Sequence, residues 1–250
     1  MRVLALDTTT LAGSVALIGE DAGGAVVVVE ERRGDPSGTH ATRLPAEILA
    51  VLDACRVAVS EVDVFAVAAG PGSFTGLRVG IATIQGLAFV HRRRVVGVSA
   101  LEALAQMAGA ARAPGAVIAA WMDAHRREVF SALYRVADAA PFTRGRLVEI
   151  APPAVGEPAA IVEQWASGRA PSVVIGDGAV LYSAVIRGSL AQIEMVDPPP
   201  MAGAIGRLAL ARARTGETVD PAGLRPLYVR RPDAEVARDA RLGHRHEPSP

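Results

Sequence analysis

Short apolar segments separated by turn residues open the chain. Residues 3–6 form an apolar run that ends at Asp7, a second run spans 14–18, and a third spans 25–31. Runs of this length between turn-forming residues are typical of strands. The first thirty residues are therefore predicted to form a β-meander.

The pattern then changes to a helical spacing. Leu44, Ile48, Val51, Leu52 and Cys55 recur on one face, which predicts an amphipathic helix from about residue 43. A buried strand over 64–69, a glycine-rich loop over 70–76 and a helix to about residue 91 are expected next. A strand over 95–98 and a helix opened by the capping-box spacing of Ser99 and Glu102 complete this half.

The same order restarts after residue 115, with a strand over 117–122, Asp123, a turn, and strands over 128–135 and 147–150. Two lobes are expected, 1–112 and 113–200, although a coincidental pair of hairpins is an alternative. Further helices are predicted over 157–167, 176–186 and 201–214, a strand over 173–175, and an extended segment over 224–229. The 201–214 helix is expected to return to the first lobe, and the charged segment 231–250 to form a flexible tail.

Composition narrows the classes of function. The 250 residues are 50% hydrophobic, enough for a large core, and the formal net charge is zero. No overall field attracts phosphate backbones or anionic membranes, so contact with nucleic acid is expected only through a partner. The single cysteine cannot form an internal disulfide, no apolar run approaches the roughly 20 residues of a membrane span, and Asp7 comes too early for a signal peptide. We expect a cytoplasmic protein with no membrane contact.

The residue inventory excludes several chemistries. All 26 basic residues counted as lysine or arginine are arginine, so a Walker A lysine and a Schiff-base lysine are excluded. The five histidines form no HxxxH or HExxH motif, and Ser73 lies outside a GxSxG elbow. Neither a metal site nor a hydrolase triad is predicted.

Asp7 stands at the end of the first strand, and phosphates and metals gather beyond the carboxyl ends of strands in sheets of this type. A possible nucleotide-binding set is Asp7, Thr8, Thr9, Gly72 and Ser73, which offers a carboxylate for hydrated magnesium and hydroxyls and amides for phosphate. The alternative is that Asp7 caps its own hairpin turn. The turn lacks a glycine-rich phosphate clamp, which argues against ATP hydrolysis by this chain alone.

The helix after residue 73 is unusually rich in glycine. Gly76, Gly80 and Gly86 each cost about 1 kcal/mol relative to alanine inside a helix, so close approach of another group is expected. Gly76, Gly80, Thr83 and Leu87 recur as a smooth stripe. Docking of a foreign helix, phosphate binding at the helix N-terminus and internal close packing are the three hypotheses.

Two strings resemble one known family. The string VLALDTT over 3–9 and the string GPGSFTGLRVGI over 70–81 closely resemble the TsaB (YeaZ) family, and the resemblance extends over about residues 1–230. It implies an α/β fold of two tandem actin-like (ASKHA, ribonuclease H-like) lobes.

The resemblance implies that this chain is a non-catalytic partner of the transferase TsaD. In that family, TsaD attaches threonylcarbamoyl to the adenosine beside the anticodon of tRNAs that read codons beginning with A. The ATPase TsaE joins them, ATP or ADP and magnesium are possible at the partner interface, and tRNA is contacted only indirectly. Free members of the family often form homodimers through the surface that binds TsaD. The interface is expected to include Leu44, Ile48, Thr75, Gly76, Gly80, Thr83 and Leu87. The competing hypothesis is an actin-like ATPase or a peptidase-like enzyme in its own right.

Overall fold

The first sheet carries the strands that the sequence predicts. In the computed structural model, which describes residues 1–21, 23–168 and 170–230, these strands are β1 (Val3–Asp7), β2 (Ser14–Glu20), β3 (Val26–Arg33), β4 (Val64–Gly70) and β5 (Arg94–Ser99). Their order is β3-β2-β1-β4-β5. The first three are antiparallel, whereas β4 and β5 run parallel to β1. The β1 and β4 strands therefore end at the same edge of the sheet.

Two helices cover the outer face of this sheet. They are α1 (His40–Ala54) and α2 (Phe74–Val90). α1 begins three residues before the predicted start because the Thr39 side chain accepts a hydrogen bond from the Thr42 amide and caps it. Their apolar faces enclose a core with the β1 and β4 side chains, in which Leu4 and Phe65 are fully buried.

The second sheet repeats the topology of the first. It contains β6 (Val117–Asp123), β7 (Val129–Val136), β8 (Leu147–Gly156), β9 (Val173–Ile175) and β10 (Glu194–Val196). The order is β10-β9-β6-β7-β8, with β6, β7 and β8 antiparallel and β9 and β10 parallel to β6. Asp123 thus ends β6 as Asp7 ends β1. The expected fold class is confirmed: the chain is an α/β protein of two tandem actin-like lobes.

Two small-residue helices pack between the sheets. α3 (Ala100–Gly109) packs mainly on the second sheet, and the last helix, α7 (Ala202–Arg214), packs on the first. A side chain at Gly206 would place its Cβ 2.0 Å from Ile18 Cδ1, so α7 can lie against β2 only with glycine there. The largest core cluster combines residues of both lobes.

Several elements differ from the sequence expectation. The predicted helix over 176–186 is two short helices, α5 (Asp177–Leu181) and α6 (Ser183–Ser189), which meet at Tyr182. β8 continues past residue 150 through Pro152 and Pro153, which is possible because it is an edge strand. β10 was not predicted. The 231–250 segment lies outside the described residues.

The remaining helix, α4 (Pro158–Ala166), packs on the outer side of the second lobe, where its Trp165 ring meets Trp121 edge-on with centroids 5.7 Å apart. None of the helices within the described residues is long and apolar enough to cross a membrane.

Candidate functional site

The Asp7 carboxylate is occupied by its own loop. Asp7 is 2% exposed. Its Oδ1 accepts hydrogen bonds from the Thr9 amide at 2.8 Å and the Thr9 hydroxyl at 2.6 Å, and its Oδ2 accepts one from the Thr10 hydroxyl at 3.1 Å. The Asp7 carboxylate therefore caps its own hairpin turn, which was the alternative to nucleotide binding.

Burial also raises the pKa of two carboxyls at this edge of the molecule. Desolvation raises the pKa of Asp7, and the hydrogen bonds from Thr9 and Thr10 offset part of that rise. Desolvation likewise raises the pKa of Asp177, whose Oδ1 accepts from the Asp123 amide at 3.1 Å. Both carboxyls line a cleft of about 550 Å³. The lining of this cleft also includes Asp197 and Arg33, so it carries more carboxyls than cationic side chains. This excess disfavours the phosphates of a nucleotide unless a cation accompanies them.

The five residues of the possible nucleotide-binding set do come together, but they pack on one another. A Cβ at Gly72 would lie 2.5 Å from Thr9 Cβ, and the Ser73 amide donates to the Thr9 carbonyl at 3.0 Å. The Ser73 hydroxyl accepts from the Gly76 amide at 3.2 Å and caps α2. Thr8 is fully buried against α2. The Asp7, Thr9 and Ser73 groups suggested for phosphate or magnesium binding are thus engaged within the loop. The Thr8 hydroxyl is buried with no hydrogen-bond partner among the described residues. Nucleotide binding stays a prediction.

The predicted interface set divides into buried and accessible residues. Leu44 and Ile48 are 1% and 4% exposed and belong to the core of the first lobe. A Cβ at Gly76 would lie 2.0 Å from the Thr8 carbonyl oxygen, and one at Gly80 would lie 2.2 Å from Thr8 Oγ1. Internal packing covers these four residues in the isolated chain, and their place in a partner interface stays a prediction.

The other members of that set lie nearer to solvent. Thr75 is exposed, whereas Thr83 and Leu87 are half-buried. The Thr83 hydroxyl donates to the Val79 carbonyl within α2, and Leu87 packs on the first-lobe core. Thr75 is therefore the exposed member of the set, in the first turn of α2.

α2 does present a smooth face to solvent, one residue away from the predicted stripe. This outer face of α2 consists of Thr75, Val79, Ala82, Gly86, Phe89 and Val90. The exposed Arg78 borders it, with its Cζ 3.9 Å from the centroid of the Phe74 ring. A Cβ at Gly86 would meet nothing within 4 Å, and Phe89 and Val90 are 78% and 73% exposed. On the neighbouring α1, Leu49 is 53% exposed. Exposed apolar side chains beside small residues are characteristic of an interaction surface.

Sequence reasoning missed Phe89, Val90 and Leu49. The signal was available, because residues 75, 79, 82, 86 and 89 follow the same helical spacing as the chosen stripe. One residue corresponds to about 100° of rotation around a helix. Burial of Leu77, Ile81, Ile84 and Ala88 turns this apolar side of α2 inward, and Gly76 and Gly80 at its margin then lie against Thr8.

The histidines do not build a metal site in the part of the chain that the structure describes. His40 Nε2 lies 2.9 Å from the Thr10 carbonyl oxygen, and His125 Nδ1 lies 3.1 Å from Asp123 Oδ2. Residues 1–21, 23–168 and 170–230 contain no group of three or more His, Cys, Asp or Glu side chains placed to hold a metal ion.

Comparison with known proteins identifies relatives of the whole chain. A protein-family model described as "TsaD: tRNA N6-adenosine threonylcarbamoyltransferase" matches residues 35–162. The tRNA threonylcarbamoyladenosine biosynthesis protein TsaB of Haemophilus influenzae is 32% identical over 92% of this chain and 94% of its own length. The TsaB protein of Escherichia coli is 37% identical over 54% of this chain.

Coverage differs among the relatives. The chain spans about half the length of the E. coli protein and of an uncharacterised Mycobacterium leprae protein, 55% and 56% respectively. The crystal structure "YeaZ from Pseudomonas aeruginosa" has a TM-score of 0.72 and 31% identity, over 91% of this chain and 99% of that one. Together with the two-lobed fold and the GPGSFTG loop that packs on Thr9, these similarities show that the chain belongs to the TsaB (YeaZ) family.

Proposed function

We propose that this chain acts in tRNA threonylcarbamoyladenosine biosynthesis as a non-catalytic subunit that binds and activates TsaD. The names of its relatives and the match to the TsaD family model support the pathway. The observation that carries the subunit role is the outer face of α2, where Phe89 and Val90 are 78% and 73% exposed. Burial of such side chains contributes about 25 cal/mol per Å² of apolar surface.

The chemistry of the cleft supports a non-catalytic role. The Asp7 carboxylate and the Ser73 hydroxyl are both engaged in hydrogen bonds to neighbouring residues. A general base or nucleophile needs its reactive atom within reach of a substrate. TsaD is therefore proposed to supply the chemistry, with TsaE as a further member of the complex and tRNA contacted through these partners. The cytoplasm is the proposed location, since the tRNA substrate is there.

The same face is proposed to form a homodimer when TsaD is absent. Self-pairing would cover Phe89 and Val90 in the isolated chain, and TsaD would compete for the surface. Sedimentation of the purified chain with and without TsaD tests this, because competition predicts loss of the homodimer as the complex forms.

Measurement of the modified nucleoside in cells tests the proposed function. Depletion of the chain is expected to remove threonylcarbamoyladenosine from tRNA, as quantified by mass spectrometry of the digested nucleosides. Wild type should restore it, whereas Ala82→Arg, which places a long charged side chain in the outer face, should not. Val148→Arg is the matched control, since Val148 is 41% exposed on β8 of the second lobe. Unchanged nucleoside levels after depletion would refute the proposal.

A second candidate is an actin-like ATPase. The acidic cleft of about 550 Å³ beside Asp7 and Asp177 favours it, because carboxylates there could hold hydrated magnesium with ATP or ADP. ATP turnover by the purified chain that disappears in Asp7→Asn would support this candidate. Absence of turnover in the wild-type chain would leave the subunit role.

A further inference from the structure

The last described segment, residues 224–230, crosses from the first lobe to the second. Leu224 is 4% exposed and belongs to the core beneath α1 and α2. The Gln85 side chain on α2 donates to the Pro221 carbonyl at 2.8 Å just before it. We refer to residues 224–230 as the strap.

The middle of the strap is fastened to the end of β4. The Leu227 amide donates to the Ala69 carbonyl at 2.7 Å. Gly70 has a φ of +122°, and a Cβ there would lie 2.6 Å from the Leu227 carbonyl oxygen, so this approach requires glycine. The Tyr228 ring stacks on the Phe74 ring of α2, with centroids 5.8 Å apart. The strap is thereby attached to both β4 and α2.

Its last residue holds the second lobe. Arg230 Nη1 donates to the Ala124 carbonyl at 2.7 Å, and Nη2 pairs with the Glu128 carboxylate. The guanidinium also lies over the Phe130 ring, 5.5 Å from its centroid. Ala124 and Glu128 bound the β6–β7 turn and are joined by a backbone hydrogen bond of 3.0 Å. One arginine therefore binds both ends of this turn.

The strap also divides the groove between the lobes. Clefts of about 440 and 600 Å³ lie on its two sides, and both are lined by Pro71, Leu227, Tyr228 and Val229. The first has an apolar wall that includes Leu77 and Phe130. Release of the strap would join the two clefts and expose this wall.

We propose that the strap is a clamp that sets the opening between the two lobes, with Arg230 as its positioning residue on the second lobe. α3 and α7 connect the sheets deep in the molecule, whereas the strap connects them at the groove. Hinge motion between two lobes is one of the recurring conformational changes of proteins. The clamp thus fixes how the β6–β7 turn is held relative to α2.

Distance measurement between the lobes tests the clamp. Spin labels at Asp53→Cys on α1 and Glu163→Cys on α4, both exposed sites, are placed in a Cys55→Ala background that removes the native thiol. Arg230→Ala removes the contacts to the second lobe. Arg225→Ala is the control, because within the described residues Arg225 donates to the Ala222 and Leu224 carbonyls of its own segment.

The clamp predicts a broader and longer inter-label distance distribution in Arg230→Ala, with Arg225→Ala like wild type. Tyr228→Ala, which acts at the first-lobe end, should broaden it as well, so the test does not depend on one variant. Amide exchange over 224–230 should be about tenfold faster in Arg230→Ala. Distance distributions in Arg230→Ala and Tyr228→Ala that match wild type would overturn the proposal.

Discussion

At the scale of single residues, the charge of Asp7 is controlled by burial more than by its hydrogen bonds. The raised pKa of Asp7 means that the folded state binds the proton more tightly than the unfolded chain, whose carboxyl has an ordinary value near 3.8. The free energy of unfolding therefore falls as the pH rises from 3.8 toward the raised pKa. The Asp7 charge also contributes to the raised pKa of Glu31 and of Asp177.

Asp7→Asn should remove this pH dependence. Asparagine keeps an oxygen for the Thr9 amide and carries no charge, so the variant should become increasingly stable relative to wild type as the pH rises above about 3.8. Urea unfolding midpoints across a pH series check it, with Asp53→Asn, exposed on α1, as the control. Parallel midpoints for Asp7→Asn and wild type would contradict the assignment.

The glycines of α2 separate close packing from open surface. Gly76→Ala should lower the free energy of unfolding by about 2 kcal/mol, because its Cβ would lie 2.0 Å from a backbone oxygen of Thr8. Gly86→Ala on the same helix should instead raise it by up to about 1 kcal/mol through helix propensity. Denaturant unfolding of the two variants gives both values, and equal effects would show that the two glycines are not in different environments.

At the scale of elements, the sequence predicts periodicity better than orientation. The strands β1, β4 and β6 and the helix α2 follow from apolar runs and capping residues. The burial of Gly76 and Gly80 does not, because it depends on Thr8, far away in sequence, lying against them. β10 is three residues long and half-exposed, so it has no alternation to detect. The candidate interface was missed because the burial of Gly76 and Gly80 depends on this distant contact with Thr8.

The Arg146 side chain connects two segments of the second lobe and α3, and no sequence motif predicts these contacts. It is 6% exposed and donates to carbonyls at the end of α3, among them Gly109 at 2.8 Å and Arg112 at 2.7 Å, and to Ala137 and Ala139 beyond β7. The positive charge also complements the negative end of the α3 dipole. This side chain joins α3 to the β7–β8 connection.

Arg146→Met should therefore lower the free energy of unfolding by about 3 kcal/mol or more, because buried carbonyls lose a charged donor. The neighbouring Arg144 is the control. Its side chain is 86% exposed and pairs with Glu217 at 3.2 Å, so Arg144→Met should change stability by less than about 0.5 kcal/mol. A similar small effect of both substitutions would argue against the structural role of Arg146.

At the scale of the whole molecule, duplication creates two lobes with different uses. The ends of β1 and β6 carry Asp7 and Asp123 in equivalent places, yet neither hairpin has the glycine-rich clamp of an actin-like ATPase. The outer face of α2 is instead the exposed apolar surface of the first lobe. The duplication was visible in the sequence, whereas the return of α7 to the first sheet had only its length and apolar spacing as signals.

The affinity of this chain for TsaD tests the proposed binding surface most directly. Isothermal titration of TsaD from the same organism should show wild-type binding that Val148→Arg retains and that Ala82→Arg weakens at least about tenfold, which corresponds to about 1.4 kcal/mol. Equal affinity of Ala82→Arg and wild type would contradict the assignment of the outer face of α2 as the binding surface.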